Sequence, residues 1–263
     1  MSELTDHVAL VTGGGRGLGL AIAHSLASQG AHVALAGRNS EALAAAADQL
    51  RGHGTDILTV SADVAKPDEV DGLIDKVVHW RGRLDIVVNN AGIADEAALA
   101  DITLANWDHV LRVNLTAPFL ITQRAATAMI NGGSIVNIAS VDAYAADGPF
   151  ASYAVAKAGI IALTKCAATE LAPLQVRVNS VSPGWALTDM AVESTSPAML
   201  HHMKTDFARV PMRRLVTPEE VAAAVCFLAS PSASGITGAD LLVDGGTLAT
   251  LHILETLPAG ESS

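Results

Sequence analysis

Short apolar runs alternate along the chain with longer segments whose apolar residues recur at helical spacing. Val8-Ala9-Leu10-Val11 is the first run and reads as a buried strand. A glycine-rich turn follows, then an apolar helix to Gln29 closed by Gly30, then a second run, His32-Val33-Ala34-Leu35-Ala36. Strand, helix and strand in that order imply a parallel sheet with a right-handed crossover. The alternation continues. A helix spans 40–50 with Ser40 as its N-cap, and a strand spans 57–60. A helix with Pro67 in its first turn spans 67–80, and a strand spans 85–88. The stretch 103–130 is helical, and Pro118 kinks it or starts a new segment. A strand spans 134–138, and a proline-free helix spans 151–171 with Ser152 able to cap its start. A strand spans 176–181. Thr217-Pro218-Glu219-Glu220 is a capping box opening a helix to Leu228, and the last strand is 241–243. That makes seven strands with no linker or repeat between them. The expected architecture is α/β: one doubly wound parallel sheet with helices on both faces, spanning 1–263 as a single domain.

Polar and glycine residues gather just after these strands. The turn Thr12-Gly13-Gly14-Gly15-Arg16-Gly17-Leu18-Gly19, Asp63, Asn90, Ser140 and Pro183-Gly184 all take such positions. In open parallel sheets ligands bind outside the carboxyl ends of the strands, so these residues share one edge. Glycines let a backbone approach a pyrophosphate, and the following helix N-terminus offers free N–H groups. The spacing does not fit the common G-x-G-x-x-G fingerprint. Tyr153 and Lys157 stand four residues apart on one predicted helix, hence on one face. An ammonium beside a phenol lowers the phenol pKa from about 10, giving a group able to exchange a proton near neutral pH.

Composition narrows the function. Half of the residues are apolar, enough for a large core. A net charge of −11 argues against nucleic acid and anionic membrane surfaces. Cys166 and Cys226 lie in apolar helical patterns and read as core residues. His201-His202 lacks ligand spacing, so no metal is expected. The N-terminus has no basic segment followed by an apolar one, and no apolar run reaches a membrane span. A cytoplasmic protein is the expectation.

Together these residues resemble the short-chain dehydrogenase/reductase family, from Thr5 to Gly246. Thr12-Gly13-x-x-x-Gly17-x-Gly19 is similar to its cofactor loop, and Asn89-Asn90-Ala91-Gly92 to its fourth-strand motif. Asn114, Ser140, Tyr153 and Lys157 match its catalytic tetrad, and Pro183-Gly184 followed by Thr188 its nicotinamide-side loop. The resemblance implies a Rossmann-like fold and hydride transfer between a nicotinamide and a carbonyl. Tyr153 would donate the proton, and Ser140 would hydrogen-bond the same oxygen. Lys157 would lower the Tyr153 pKa and bind the ribose, and Asn114 would hold a water linking Lys157 to solvent. Gly13, Gly15, Arg16, Gly17, Leu18, Gly19, Asn90, Ala91, Gly92, Pro183, Gly184 and Thr188 would contact the cofactor, with Asp63 and the Val64 backbone at the adenine.

The place of the usual ribose-binding acid reads Gly37-Arg38-Asn39. Arg38 could pair with a 2′-phosphate and Arg16 could add a second charge, which favours NADP(H), with NAD(H) as the alternative. Trp185 should overhang the nicotinamide side. Tyr144 and Phe150 line the expected substrate wall, and 191–214 forms a lid with Met199, Met203 and Phe207. Asp142 is a turn residue or a polar anchor for a substrate hydroxyl or amine. Family members that reduce carrier-bound acyl groups often carry basic residues before the fifth strand. Here Ala128-Met129-Ile130-Asn131-Gly132-Gly133 has no charge. A small free ketone or secondary alcohol is therefore the preferred substrate, with a 3-oxoacyl-thioester (acyl carrier protein) reductase as the alternative. A nucleotide sensor without turnover is the alternative of another class, and it has no need of Tyr153 and Lys157 beside Ser140. The resemblance also implies a homotetramer. The apolar extension 247–263 would pack on a neighbouring subunit or fold back on its own.

Overall fold

The computed structural model describes residues 3–146, 148–186 and 197–250. Seven parallel strands form one sheet: β1 (Val8–Thr12), β2 (His32–Gly37), β3 (Ile57–Ser61), β4 (Ile86–Asn89), β5 (Gly133–Ile138), β6 (Val176–Pro183) and β7 (Asp240–Val243). Their order across the sheet is β3-β2-β1-β4-β5-β6-β7. Strand order therefore reverses between β1 and β4, where such sheets open a crevice. The helices are α1 (Gly17–Ser28), α2 (Ser40–Leu50), α3 (Pro67–Arg81), α4 (Leu104–Leu111), α5 (Ala117–Ala128), α6 (Ala151–Leu171), α7 (Pro197–Thr205) and α8 (Pro218–Ala229).

The strands read as unbroken apolar runs because both faces are covered. Ala9, Val11, Val33 and Leu35 pack with Ile22 and Leu26 of α1, Leu43 of α2 and Val225 of α8. Val8, Leu10, Ala34 and Ala36 face the other way, against Leu73 and Ile74 of α3 and Ile121 and Ala125 of α5. On that second face a polar row crosses the sheet. Asn89 is in register with Asn137, Asn137 with Ser180, and Ser180 with Asp240. Asn89 Nδ2 donates to Asn137 Oδ1 at 2.8 Å, and Asn137 Nδ2 donates to Thr164 Oγ1 of α6 at 2.9 Å.

Helix ends follow the expected chemistry with two corrections. The Thr217/Glu220 capping box and Pro67 at the start of α3 are present. The cap of α2 is Asn39, not Ser40: its Oδ1 accepts from the N–H groups of Glu41 and Ala42 at 3.0 Å each. Asn39 has the extended backbone a cap requires, whereas Ser40 is already helical. Ser152 does not cap α6, because the helix begins one residue earlier and buries it. The stretch around Asn114 also differs from a plain helix. Between α4 and α5, Arg112–Thr116 forms one wide π turn. Pro118, in the first turn of α5, has no N–H for the Asn114 carbonyl four residues back, so the α-helical hydrogen-bond ladder is interrupted there while the helix continues through the wider π turn.

Candidate active site

At the strand-order reversal the loops after β1 and β4 lock together. Thr12 Oγ1 donates to the Val88 carbonyl at 3.3 Å and accepts from the N–H groups of Asn90 and Ala91 at 3.0 and 3.1 Å. The Asn90 amide donates to the carbonyls of Thr12 and Gly13 at 2.9 and 3.4 Å. Asn90 thus braces the glycine turn. Gly13 has φ +66°, and a Cβ on Gly19 would fall 2.2 Å from the Gly13 oxygen. The close approach is what requires glycine at both positions. Helix α1 starts at Gly17 with no side-chain cap from Arg16, which leaves its first N–H groups for an anion.

The turn opens on a cleft of about 980 Å³ lined by Gly13, Gly15, Arg16, Arg38, Asp63, Val64, Ala91 and Gly92, among others. Arg16 and Arg38 are exposed and have no ion-pair partner among the described residues. Glu41 and Asp63 are the acids of the lining, and Asp63 Oδ1 accepts from the Ala65 N–H at 3.0 Å. Leu18 packs its side chain against the core and Gly19 is buried, so both could meet a ligand only through backbone groups. A backbone without Cβ atoms, free amide donors and two unpaired guanidinium groups fit a dinucleotide with an added phosphate.

The structure brings Asn114, Ser140, Tyr153 and Lys157 together at the same edge. Ser140 follows β5, Tyr153 and Lys157 share one face of α6, and the π turn presents Asn114. Ser140 lies close enough to Tyr153 to pull its phenol pKa down, and its Oγ accepts from the Asp142 N–H at 3.1 Å. Lys157 is buried and donates to the Ile138 carbonyl at 2.6 Å. Asn114 is buried too. Its Oδ1 accepts from the Ile93 N–H at 3.2 Å, and its Nδ2 donates to the carbonyls of Ile93 and Val110 at 2.8 and 2.9 Å. Gly92 lies between: a Cβ there would fall 2.8 Å from Asn114 Oδ1 and 3.8 Å from Lys157 Nζ.

Electrostatics correct one expectation. Burial pushes the Tyr153 phenol up to about 12, the Ser140 hydrogen bond opposes this, and the Asp142 carboxylate adds to it. Burial pulls Lys157 down to about 8, against the Asp142 carboxylate. Lys157 does not lower the Tyr153 pKa here. Its ammonium lies over the ring, 5.4 Å from the centroid, and is itself desolvated. Tyr153 is partly exposed as a residue, while its ionisable end sits deep enough for desolvation to dominate.

On the substrate side, Trp185 packs edge-on against Phe207 with centroids 5.6 Å apart. Met203 and Phe207 are buried with Val210 and Leu215, so these lid residues are core to one another. Gly184 packs against Asp244, where a Cβ would fall 2.8 Å from its Cα. Thr188 and residues 251–263 of the apolar extension lie outside the described residues, as does the Met199 side chain. Thr12, the first residue of the cofactor-loop motif, acts here as the brace between the two loops. Ile93 holds Asn114 through its backbone, and nothing in the sequence marks it.

A second groove, about 940 Å³, lies between the ends of α5 and α6 at the opposite edge of the sheet. Phe119, Ile130, Leu163 and Leu174 line it, and Glu170 is its one charged lining residue among those described. Cys166 lines it as well and is exposed, whereas Cys226 is buried. The expectation of a core position fails for Cys166, because this apolar helix face has no partner among the described residues.

Comparison with known proteins bears on this geometry. The profile of a family described as "Enoyl-(Acyl carrier protein) reductase" matches residues 13–247. The 3-oxoacyl-[acyl-carrier-protein] reductase of Synechocystis sp. is 40% identical over 250 residues, covering 94% of this chain and 98% of that protein. The D-threitol dehydrogenase of Mycolicibacterium smegmatis is 38% identical over 246 residues, covering 93% and 94%. The crystal structure of a short-chain type dehydrogenase/reductase from Mycobacterium marinum superposes with a TM-score of 0.87 at 36% identity, covering 94% and 98%.

Proposed function

Since the chain belongs to the short-chain dehydrogenase/reductase family of NAD(P)-dependent oxidoreductases, we propose that it reduces a small free ketone with NADPH. The observation that carries this reading is the cluster of Asn114, Ser140, Tyr153 and Lys157 at the mouth of the glycine-lined cleft. When bound, a reduced nicotinamide would supply the hydride that the carbonyl carbon accepts. As charge grows on the carbonyl oxygen, Ser140 donates a hydrogen bond to it and Tyr153 delivers the proton. A phenol near 12 stays protonated at neutral pH. It is therefore available as the proton donor that reduction needs. Lys157 would hold the ribose side of the cofactor. The Asn114 carbonyl, which Pro118 cannot reach, would hold the water that returns a proton to the site.

Arg38 and Arg16 support the choice of NADP(H), since two free guanidinium groups in the adenosine half of the cleft suit a 2′-phosphate. The stretch 128–133 before β5 carries no charge, which supports a free substrate over an acidic carrier protein. The names of several relatives favour the second reading, a 3-oxoacyl-thioester reductase. We also propose that a second copy of the chain covers the apolar groove between the ends of α5 and α6 within a homotetramer. Phe119 and Ile130 are exposed there at 45% and 82% in the single subunit.

The test is loss of absorbance at the reduced-nicotinamide band with a panel of free ketones and one carrier-bound 3-oxoacyl thioester. Turnover of free ketones, abolished by Tyr153→Phe with NADPH binding retained, is expected. A Tyr153→Phe protein that keeps more than about a tenth of kcat overturns the assigned acid. A hundredfold preference for the carrier-bound thioester overturns the substrate class.

A further inference from the structure

One carboxylate outside the catalytic cluster reaches into the turn that carries Ser140. Asp240 is the first residue of the edge strand β7. Its Oδ1 accepts from Ser180 Oγ at 2.5 Å and from Ser182 Oγ at 3.0 Å, and its Oδ2 accepts from Ser182 Oγ at 2.8 Å. The same Oδ2 accepts from the Tyr144 hydroxyl at 2.8 Å, a bond spanning 96 residues of sequence. Ser180 and Ser182 belong to β6, which ends at Pro183 and leads into Gly184 and Trp185.

Tyr144 closes the tight turn that Ser140 opens. Within it the N–H groups of Ala143, Tyr144 and Ala145 donate to the carbonyls of Ser140, Val141 and Val141 at 3.0, 2.9 and 3.1 Å. Ser140 Oγ accepts the Asp142 N–H inside the same turn. The near end is tied to the sheet by the Ala139 N–H on the Val181 carbonyl at 2.8 Å. The far end is tied by the Tyr144–Asp240 bond. A short turn pinned at both ends holds its first hydroxyl in one direction. Tyr144 itself is 53% exposed, so its bond to Asp240 is not a by-product of core packing.

We propose that Asp240, through Tyr144, is a positioning residue that fixes Ser140 for its hydrogen bond to the substrate oxygen. This rests on the reductase reading above. Losing the bond costs transition-state stabilisation at Ser140 and leaves the cofactor cleft alone, which lies across the sheet at β1 and β4. The raised phenol pKa of Tyr144, with burial first and the Asp240 carboxylate second among its causes, agrees with a hydroxyl held as the donor.

Measurements on the full chain test it. Tyr144→Phe should lower kcat/KM for the ketone about three- to tenfold, the loss expected for one hydrogen bond, with KM for NADPH unchanged within about twofold. Asp240→Ala should do the same or more, and Asp240→Glu, which keeps a carboxylate, should recover part of the loss. In a Ser140→Ala background the Tyr144→Phe penalty should vanish, because the hydroxyl it positions is gone. The last measurement needs no turnover. Amide hydrogen exchange of 141–145 should speed up in Tyr144→Phe while α1 and α6 keep their protection. Penalties that multiply in the Ser140→Ala background, or exchange in 141–145 equal to wild type, overturn the proposal. A chain that reduces no ketone overturns the reductase reading instead, and the exchange measurement then still decides whether the latch exists.

Discussion

Replacing Gly19 by alanine isolates what the glycine turn does. The added methyl would lie 2.2 Å from the Gly13 carbonyl oxygen, 2.6 Å from Asn90 Nδ2 and 2.8 Å from the Gly13 carbonyl carbon. Two of these three neighbours are backbone, and the third is an amide held by Thr12 and Gly13. None is the free end of a flexible side chain. Relief needs a backbone shift of roughly 1 Å to reach ordinary contact distance. Overpacking of this kind costs about 1–3 kcal/mol. For a chain of this size that lowers the melting temperature by about 2–10 °C. The shift falls on the Gly13 turn, where a pyrophosphate would rest, so NADPH affinity should drop about five- to hundredfold. Gly15→Ala is the control. It lines the same cleft, but its Cβ would meet nothing closer than 3.4 Å. It should melt within about 2 °C of the wild type. The assays are a thermal melt and a titration followed by NADPH fluorescence. A Gly19→Ala protein with wild-type melting and NADPH affinity within about twofold would refute the reasoning.

Three further outcomes are expected. Arg38→Ala should raise KM for NADPH about tenfold and leave NADH unchanged, and an equal effect on both would remove Arg38 from the 2′-phosphate. Lys157 has a folded pKa near 8 against 10.5 unfolded, so the unfolded chain binds the extra proton between those values and stability rises with pH across that window. Tyr153, near 12 against 10, contributes the opposite slope from 10 to 12. Lys157→Met should therefore melt above wild type at pH 7, by the equivalent of about 3 kcal/mol at most, and lose that advantage by pH 10; a gap independent of pH contradicts the assignment. Finally, a thiol reagent should spare Cys226, whose burial pushes its thiol up to about 11, and should reach Cys166 only after the assembly is diluted apart. Fast labelling of Cys166 in the intact oligomer would show the groove uncovered.

Much of this was legible in the chain because strand and helix periods differ and caps are chemically specific. Thr217-Pro218-Glu219-Glu220 admits one helix start, and the continuous runs of β1, β2 and β4 admit one kind of sheet. The misses share a cause: each turned on something a local pattern does not carry. Asn39 and Ser40 can both cap a helix, and only the backbone angles select Asn39. The π turn at Asn114 adds a single residue to a helix, which scarcely disturbs an apolar pattern extending over 104–128. Tyr153 and Lys157 do share a face. The sign of the Tyr153 shift depended on burial, which spacing does not report. Cys166 sits in an apolar pattern, and such a pattern cannot say whether the covering surface belongs to its own subunit.

The row Asn89–Asn137–Ser180–Asp240 has a consequence for how the sheet finds its alignment. Sliding one strand by one residue would turn its apolar side chains to the wrong layer, and burial alone forbids that. Sliding by two residues leaves every side chain on its proper face. The valines and isoleucines of β4, β5 and β6 would be nearly indifferent to it. The polar row is not indifferent, because a two-residue slip separates the Asn89 and Asn137 amides and strands both among Val87, Ile135 and Val178. Each amide left unpaired costs about 1–3 kcal/mol. The row is not saturated even in the native alignment, where Asn89 Oδ1 has no partner. Its value therefore lies less in stability than in discrimination. It serves the sheet as a vernier, distinguishing alignments that greasy side chains would accept as equals, and so sets the heights at which Ser140 and α6 arrive at the edge.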